Sequence, residues 1–243
     1  MAEMDGTERI LVTGGSGQLA RALDVAAPSH GFAVRCVGRP ILDFERPASI
    51  DTVFAETAPA LVVNAAAYTA VDMAEDEPEA AMRANRDGPA RLAQLCAAAG
   101  IPLIHVSTDY VFDGRKDAPY VETDATAPQG VYGVTKLAGE RAVLELCPRS
   151  IVLRTSWVYS PIGRNFVRTM LAIAQRSDRL RVVADQRGCP TQSADLAEVI
   201  LAIAGRIMRD GWQDRYAGIY HAAGSEWTTW HGLAVATFAE AAR

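Results

Sequence analysis

A short apolar stretch, Ile10-Leu11-Val12-Thr13, runs directly into Gly14-Gly15-Ser16-Gly17-Gln18-Leu19-Ala20, and few folds can use such a junction. Gly15, Gly17 and Ala20 match G-x-G-x-x-A, and Gly14, Gly17 and Ala20 match its wider-spaced variant. The first glycines permit a tight turn out of a strand. Gly17 lets backbone N–H groups approach an anion. Ala20 is small enough for the following helix to lie on the strand, and the helix N-terminus adds a partial positive charge. Glycines in this order between a strand and a helix read as a turn that holds a pyrophosphate, with contacts at Gly14, Ser16, Gly17, Gln18 and Leu19.

The rest of the first half keeps the same rhythm. Apolar runs at 33–37, 61–64, 103–107 and 151–154 alternate with helical patterns at 18–27, 48–58, within 77–99, and at 131–146. Strands apolar on both faces and separated by helices predict a parallel sheet covered on both sides, an α/β Rossmann-type doubly wound fold. Beyond Ser156 the rhythm changes. A loop at 157–164, a helix at 165–175, a short strand at 180–184 and a helix at 194–208 follow, and all four tryptophans fall here. Residues 1–156 are therefore expected to form a NAD(P)-binding domain. Residues 157–243 are expected to form mainly a smaller substrate-binding lobe, with helix 194–208 a candidate to pack back on the first domain.

Composition narrows the function. Of 243 residues, 49% are hydrophobic and 22% charged, the profile of a folded globular chain. A net charge of −5 argues against a nucleic-acid partner, and no apolar run reaches the 18 residues of a membrane span. The N-terminal stretch is acidic and lacks the basic start of a secretory signal. The four cysteines are scattered and form no metal-ligand spacing, so a cytoplasmic location and no metal site are expected.

Two further clusters carry chemistry. At the end of the second strand, where an acid would hold the adenosine ribose, the chain has Val37-Gly38-Arg39-Pro40. Arg39 favours a 2′-phosphate, hence NADPH, with NADH left open. In Ile41-Leu42-Asp43-Phe44, Asp43 can cap the next turn or reach the adenine amino group. Tyr132 and Lys136 stand four apart on a helix and share a face. A nearby ammonium lowers a phenol pKa toward the range useful for proton donation. The fourth strand ends Val106-Ser107-Thr108-Asp109-Tyr110, which puts the Thr108 hydroxyl at the carboxyl edge of the sheet, where ligands bind.

With these residues the chain resembles the extended short-chain dehydrogenase/reductases, and within them the dTDP-4-dehydrorhamnose reductase family. Further matching segments are 63–72, Ala84-Asn85, 106–114, 131–140, 154–159, 163–167 and 185–191. The resemblance implies NAD(P)H-dependent reduction of the 4-keto group of dTDP-4-dehydro-6-deoxy-L-mannose, giving dTDP-L-rhamnose. It implies that Thr108 polarises the carbonyl, that Tyr132 donates the proton, and that Lys136 tunes Tyr132 and binds the nicotinamide ribose. Asn85 matches an asparagine that supports a proton relay elsewhere in the superfamily. Ala65, Ala66 and Ala67 would line the cofactor groove beside Arg39, Asp43 and Phe44. Asp109, Trp157 and Asn165 would contact the nucleotide sugar, with core of the small lobe the other reading of Trp157. Some members bind Mg2+ near a dimer contact, and a homodimer stays open. Three alternatives stand beside this reading: another nucleotide-sugar 4-ketoreductase, an epimerase, and a regulatory subunit like that of methionine adenosyltransferase. A dehydratase is disfavoured, because Tyr110 follows Asp109 where a second carboxylate is needed. Members of the family run several dozen residues longer, so the substrate lobe is expected to be incomplete.

Overall fold

The structure, a computed structural model, describes residues 9–177 and 179–242; the acidic N-terminal stretch 1–8 lies outside them. The first half builds β1 (Arg9–Thr13), α1 (Gln18–Ala26), β2 (Ala33–Val37), α2 (Pro47–Thr57) and β3 (Leu61–Asn64). Next come α3 (Val71–Asp76), α4 (Pro78–Met82), a π-helical turn (Arg83–Asp87), α5 (Gly88–Ala99), β4 (Leu103–Thr108), α6 (Val131–Leu146) and β5 (Ser150–Thr155). The remainder supplies β6 (Val158–Tyr159), α7 (Phe166–Ala174), β7 (Arg187–Gly188), β8 (Thr191–Gln192), α8 (Ser193–Asp210), β9 (Gly218–His221), β10 (Thr228–Thr229) and α9 (Trp230–Ala241).

Six strands form one sheet in the order β2-β1-β3-β4-β5-β9, every pair parallel. All residues of β3 and β5 are buried, as strands covered on both faces must be. Two cores result. One, under α1 and α8, contains Val12, Leu23, Val63, Ile104 and Leu153. The other, under α2, α5 and α6, contains Leu11, Val62, Leu92, Leu103 and Val143. The chain passes from β1 outward to β2 and then returns to β3 on the other side of β1. That reversal opens a crevice at the carboxyl ends of β1 and β3, the place where ligands bind in open α/β sheets.

The second half divides its elements. The apolar stripe of α8 (Leu196, Ala197, Ile200, Leu201, Ala204, Ile207) lies in the same core as Leu19 and Leu23 of α1. β9 pairs with β5 as the sixth strand of the sheet. The short pairs β6–β8 and β7–β10 stand apart from that sheet. There the ring of Trp157 stacks on Trp230 at 3.6 Å between centroids, with Phe166 at 4.6 Å from Trp230.

The strand expected at 180–184 is irregular chain. Among the described residues one hydrogen bond, from the His231 N–H to the Val183 carbonyl, reaches it. An isolated extended run gains nothing without a ladder partner. The pairing in this region forms instead between Arg187–Gly188 and Thr228–Thr229.

Candidate active site

The crevice is built first by backbone. Gly14 adopts φ +80°, and a Cβ on it would stand 2.9 Å from the Ala65 carbonyl oxygen. The turn after β1 therefore rests directly on the segment that leaves β3. Below it, the Thr13 hydroxyl donates to Asn64 Oδ1 at 2.6 Å, and the Ala66 N–H reaches Thr13 Oγ1 at 3.2 Å. Ala65, Ala66 and Ala67 are all partly exposed along this edge. Gly17 caps α1 without a side-chain acceptor, and the first helical bond runs from the Arg21 N–H to the Gly17 carbonyl at 3.1 Å. Among the described residues, no bond engages the N–H groups of Gln18, Leu19 or Ala20. Three free donors at the start of a nine-residue helix form a cradle suited to a phosphate.

The neighbouring candidates separate. Arg39 is exposed, and no hydrogen bond or ion pair engages it among the described residues. The Asp43 carboxylate is committed to its own turn: Oδ1 accepts from the Glu45 N–H at 3.1 Å, and Oδ2 lies 3.4 Å from Arg46. The contacts support its capping role. The Phe44 side chain is 8% exposed within the core and packs against Gly88, and Leu19 is likewise a core side chain. The Leu19 side chain thus belongs to packing, and only its backbone belongs to the cradle; the Phe44 ring is likewise a core element and not a wall of the groove.

At the carboxyl end of β4, Thr108 Oγ1 donates to Asp109 Oδ1 at 3.2 Å and accepts from the Tyr110 N–H. Burial pushes the Tyr132 phenol up to about 12, and the nearby Thr108 hydroxyl acts the other way. Burial also lifts Asp109 to about 6. Lys136 is 2% exposed and donates to the Val106 carbonyl at 2.7 Å. Burial lowers it to about 8, with Glu140 acting the other way. The expected lowering of Tyr132 by Lys136 is not among the influences in this state. Removal from water is the largest influence, the charge of Asp109 acts in the same direction, and Tyr132 stays a neutral phenol.

Asn85 sits in the π-helical turn, fully buried. Its Oδ1 accepts from the Tyr68 N–H at 2.8 Å, and its Nδ2 donates to the Tyr68 carbonyl and to Thr135 Oγ1. It ties the segment after β3 to α6. Single π turns are frequent where a helix is re-aimed for a site. A Cβ on Gly139 would stand 2.0 Å from the Asn85 carbonyl, so α6 can approach this turn only through a glycine.

Trp157 and Asn165 fall on the lobe side. Trp157 is partly buried, adopts φ +46°, and stacks on Trp230. The positive φ of a bulky residue is held by that stack. Asn165 caps α7 by accepting from the Arg168 N–H. Its Nδ2 donates to Gln18 Oε1 at 2.8 Å and to the Ser160 carbonyl at 2.7 Å. Its side chain is thus occupied as a strap between lobe and glycine turn, and a diphosphate would have to displace one of these bonds.

Two buried arrangements escape sequence reasoning. His105 takes a bond from Asn64 Nδ2 at 2.8 Å on Nδ1, while its Nε2 has no partner among the described residues. Burial and the charge of Lys136 hold its pKa well below the ordinary value, so it is neutral. Glu140 and Arg154 form a two-pronged pair at 3.0 and 2.7 Å, 1% and 3% exposed. The available signal was the spacing Tyr132, Lys136, Glu140, which repeats every four residues on one helix face. No group of three or more His, Cys, Asp or Glu is placed to hold a metal ion among the described residues, and no described helix is long and apolar enough to cross a membrane.

Comparison with known proteins places this geometry. The RmlD substrate binding domain family matches residues 8–243. A dTDP-4-dehydrorhamnose reductase of Sinorhizobium fredii is 45% identical over 230 residues, covering 95% of this chain and 77% of that protein. A probable dTDP-4,6-dihydroxy-2-methyloxan-3-one 4-ketoreductase of Streptomyces antibioticus is 43% identical over 231 residues, covering 95% and 76%. The crystal structure of dTDP-4-dehydrorhamnose reductase from Bacillus anthracis in complex with NADP superposes with a TM-score of 0.89 at 33% identity, covering 97% of this chain and 81% of that one.

Proposed function

The chain belongs to the RmlD substrate binding domain family, and on that premise we propose that it is an NADPH-dependent reductase of the 4-keto group of dTDP-4-dehydro-6-deoxy-L-mannose, yielding dTDP-L-rhamnose. The observation that carries the reading is the Tyr132 phenol set near the Thr108 hydroxyl at the carboxyl end of β4, beside a cradle of free helix N–H groups. Bound in that cradle, the nicotinamide cofactor supplies the hydride.

The chain's own residues do the rest. The N–H groups of Gln18, Leu19 and Ala20 hold the pyrophosphate, and Arg39 pairs with the 2′-phosphate. Thr108 donates a hydrogen bond to the ketone oxygen. Tyr132, kept neutral by burial, gives its proton to that oxygen as the alkoxide develops, a far stronger base than a phenolate. Lys136 holds the nicotinamide ribose and offsets the phenolate left behind. Asp109 and Trp157 face the sugar nucleotide, and Asn165 releases Gln18 or Ser160 to reach its diphosphate. Residues 9–156 with the returning α8 and β9 form the cofactor body, and the other elements after 156 form the substrate lobe. The four cysteines are unpaired, in keeping with a reducing cytoplasm.

The test is NADPH oxidation with the dTDP-keto sugar by wild type and Tyr132→Phe. The variant should bind NADPH normally and lose about two or more decades of turnover. Equal turnover in both proteins refutes the mechanism. The Streptomyces antibioticus relative supports a second reading, a 4-ketoreductase for a different dTDP-sugar. A panel of dTDP-, UDP- and GDP-keto sugars separates the two.

A further inference from the structure

The face of α6 that carries Tyr132 and Lys136 continues one turn further to Glu140. Residues four apart on a helix are neighbours, with Cβ atoms about 5–6 Å apart. Both side chains are buried, Lys136 at 2% and Glu140 at 1% exposed, so little water separates their charges. The same face meets the sheet at β4 and β5. There Ser107 and Arg154 are in register, and Arg154 grips both oxygens of Glu140 while its guanidinium lies 5.0 Å over the Phe112 ring.

Lys136 from α6 and Arg154 from β5 are two buried cations, and Glu140 is the buried carboxylate that acts on both. Glu122, an exposed carboxylate that accepts from the His221 N–H, acts on Arg154 as well. Tyr132 on α6 is a neutral phenol, and His105 from β4 is a neutral imidazole. Arg154 Nη1 has no hydrogen-bond partner among the described residues. A guanidinium in proteins does not give up its proton. The group that can shed charge when the counter-charge weakens is therefore Lys136.

Resting on the reading that Lys136 works in its protonated form, we propose that Glu140, clamped by Arg154, is a positioning residue whose carboxylate keeps the Lys136 ammonium charged beneath the nicotinamide ribose. The clamp has a physical purpose. A carboxylate free to rotate toward Lys136 would form a direct ion pair with it and draw Nζ away from the Val106 carbonyl. Held by Arg154 on both oxygens, Glu140 supplies its field without competing for the ammonium hydrogens.

The chain makes this directly measurable, because it contains two lysines, Lys116 and Lys136. Selective labelling with 13C,15N-lysine gives two side-chain signals in the cofactor-free protein. Lys116 lies at the surface beside Asp124, and Lys116→Arg identifies the signal of Lys136. The titration midpoint of Lys136 in wild type is expected near 8. In Glu140→Gln it should fall by about one unit or more, since a lost opposite charge disfavours the ammonium. In Glu140→Asp, which keeps the charge but retracts it by one methylene, it should fall by less. That variant serves if the glutamine form does not fold. The sign decides the matter. A site merely loosened and hydrated by mutation would move Lys136 up, toward its ordinary 10.5. An unchanged or raised midpoint in Glu140→Gln, or in Glu140→Asp where only that variant folds, overturns the proposal. The pH profile of kcat/KM then tests the reading beneath it. If Lys136 works protonated, Glu140→Gln loses activity at pH 8 far more than at pH 6. A lowered midpoint with an unaltered profile leaves the counter-charge standing and removes the catalytic role assigned to Lys136.

Discussion

Gly14→Ala and Gly31→Ala form a matched pair that isolates the crevice. Both glycines have positive φ, +80° and +77°. An alanine in that region costs roughly 1–2 kcal/mol of backbone strain at either position. Their surroundings differ completely. A Cβ at Gly31 meets nothing within 4 Å, whereas at Gly14 it stands 2.9 Å from the Ala65 oxygen and 3.0 Å from Ala65 C and Ala66 N. Those are backbone atoms, and they cannot swing aside like a side chain. Ala66 is also held by the Thr13 hydroxyl and by Asn64. Overpacking of this kind adds about 1–3 kcal/mol. The two variants should therefore differ by about 2 kcal/mol, or about 4–8 °C in Tm at 2–4 °C per kcal/mol for a chain of this size. Thermal melting by circular dichroism reads that difference. A fluorescence titration with NADPH reads the second consequence, since displacing 65–67 narrows the proposed cofactor groove: Gly14→Ala should bind at least about tenfold more weakly, and Gly31→Ala as wild type. Equal melting points would refute the close approach of the turn to β3. Unaltered NADPH affinity in Gly14→Ala would refute its assignment to the cofactor.

Lys136→Met should raise stability at pH 7 while abolishing reduction. The folded pKa is depressed from 10.5 to about 8, so charge burial opposes folding below about pH 8 by about 3 kcal/mol, and this penalty fades as pH rises from 8 to 10.5. A variant that melts below wild type at pH 7 refutes that. Gly139→Ala would drive its Cβ to 2.0 Å from the Asn85 carbonyl, and a loss of about 3 kcal/mol or more in urea denaturation is expected. Arg39→Ala should weaken NADPH binding about 10–100-fold through loss of one charge-assisted contact and leave NADH binding unchanged, as read by parallel titrations.

Much of the fold is local and was legible for that reason. Each buried strand is a run of apolar residues, and each crossover carries its own stop signals, such as Gly100 with φ +67° after α5. The glycine turn is equally local, because its shape lies in the backbone of consecutive residues. Tyr132 and Lys136 share a helix face by periodicity alone. The misreadings share a different cause. The run at 180–184 has strand composition, yet pairing depends on a neighbour that sequence does not name. Phe44 stands beside the groove in sequence, but its ring packs in the core; of the two roles open to Asp43, its contacts favour the cap.

The sequence by itself determined the parallel sheet, the glycine turn between β1 and α1, and the helix face shared by Tyr132 and Lys136, since periodicity and backbone chemistry act between near neighbours. Only the tertiary structure decided the protonation states and the electrostatic partners. The lysine four residues on suggests a lowered phenol pKa, yet Tyr132 is held neutral because the folded chain removes it from water. Asn165 meets Gln18 across 147 residues, and Glu140 meets Arg154 across the interface of α6 with the sheet. Charge and solvation depend on what is packed against a group from every side, and that is fixed only once the helices lie on the sheet.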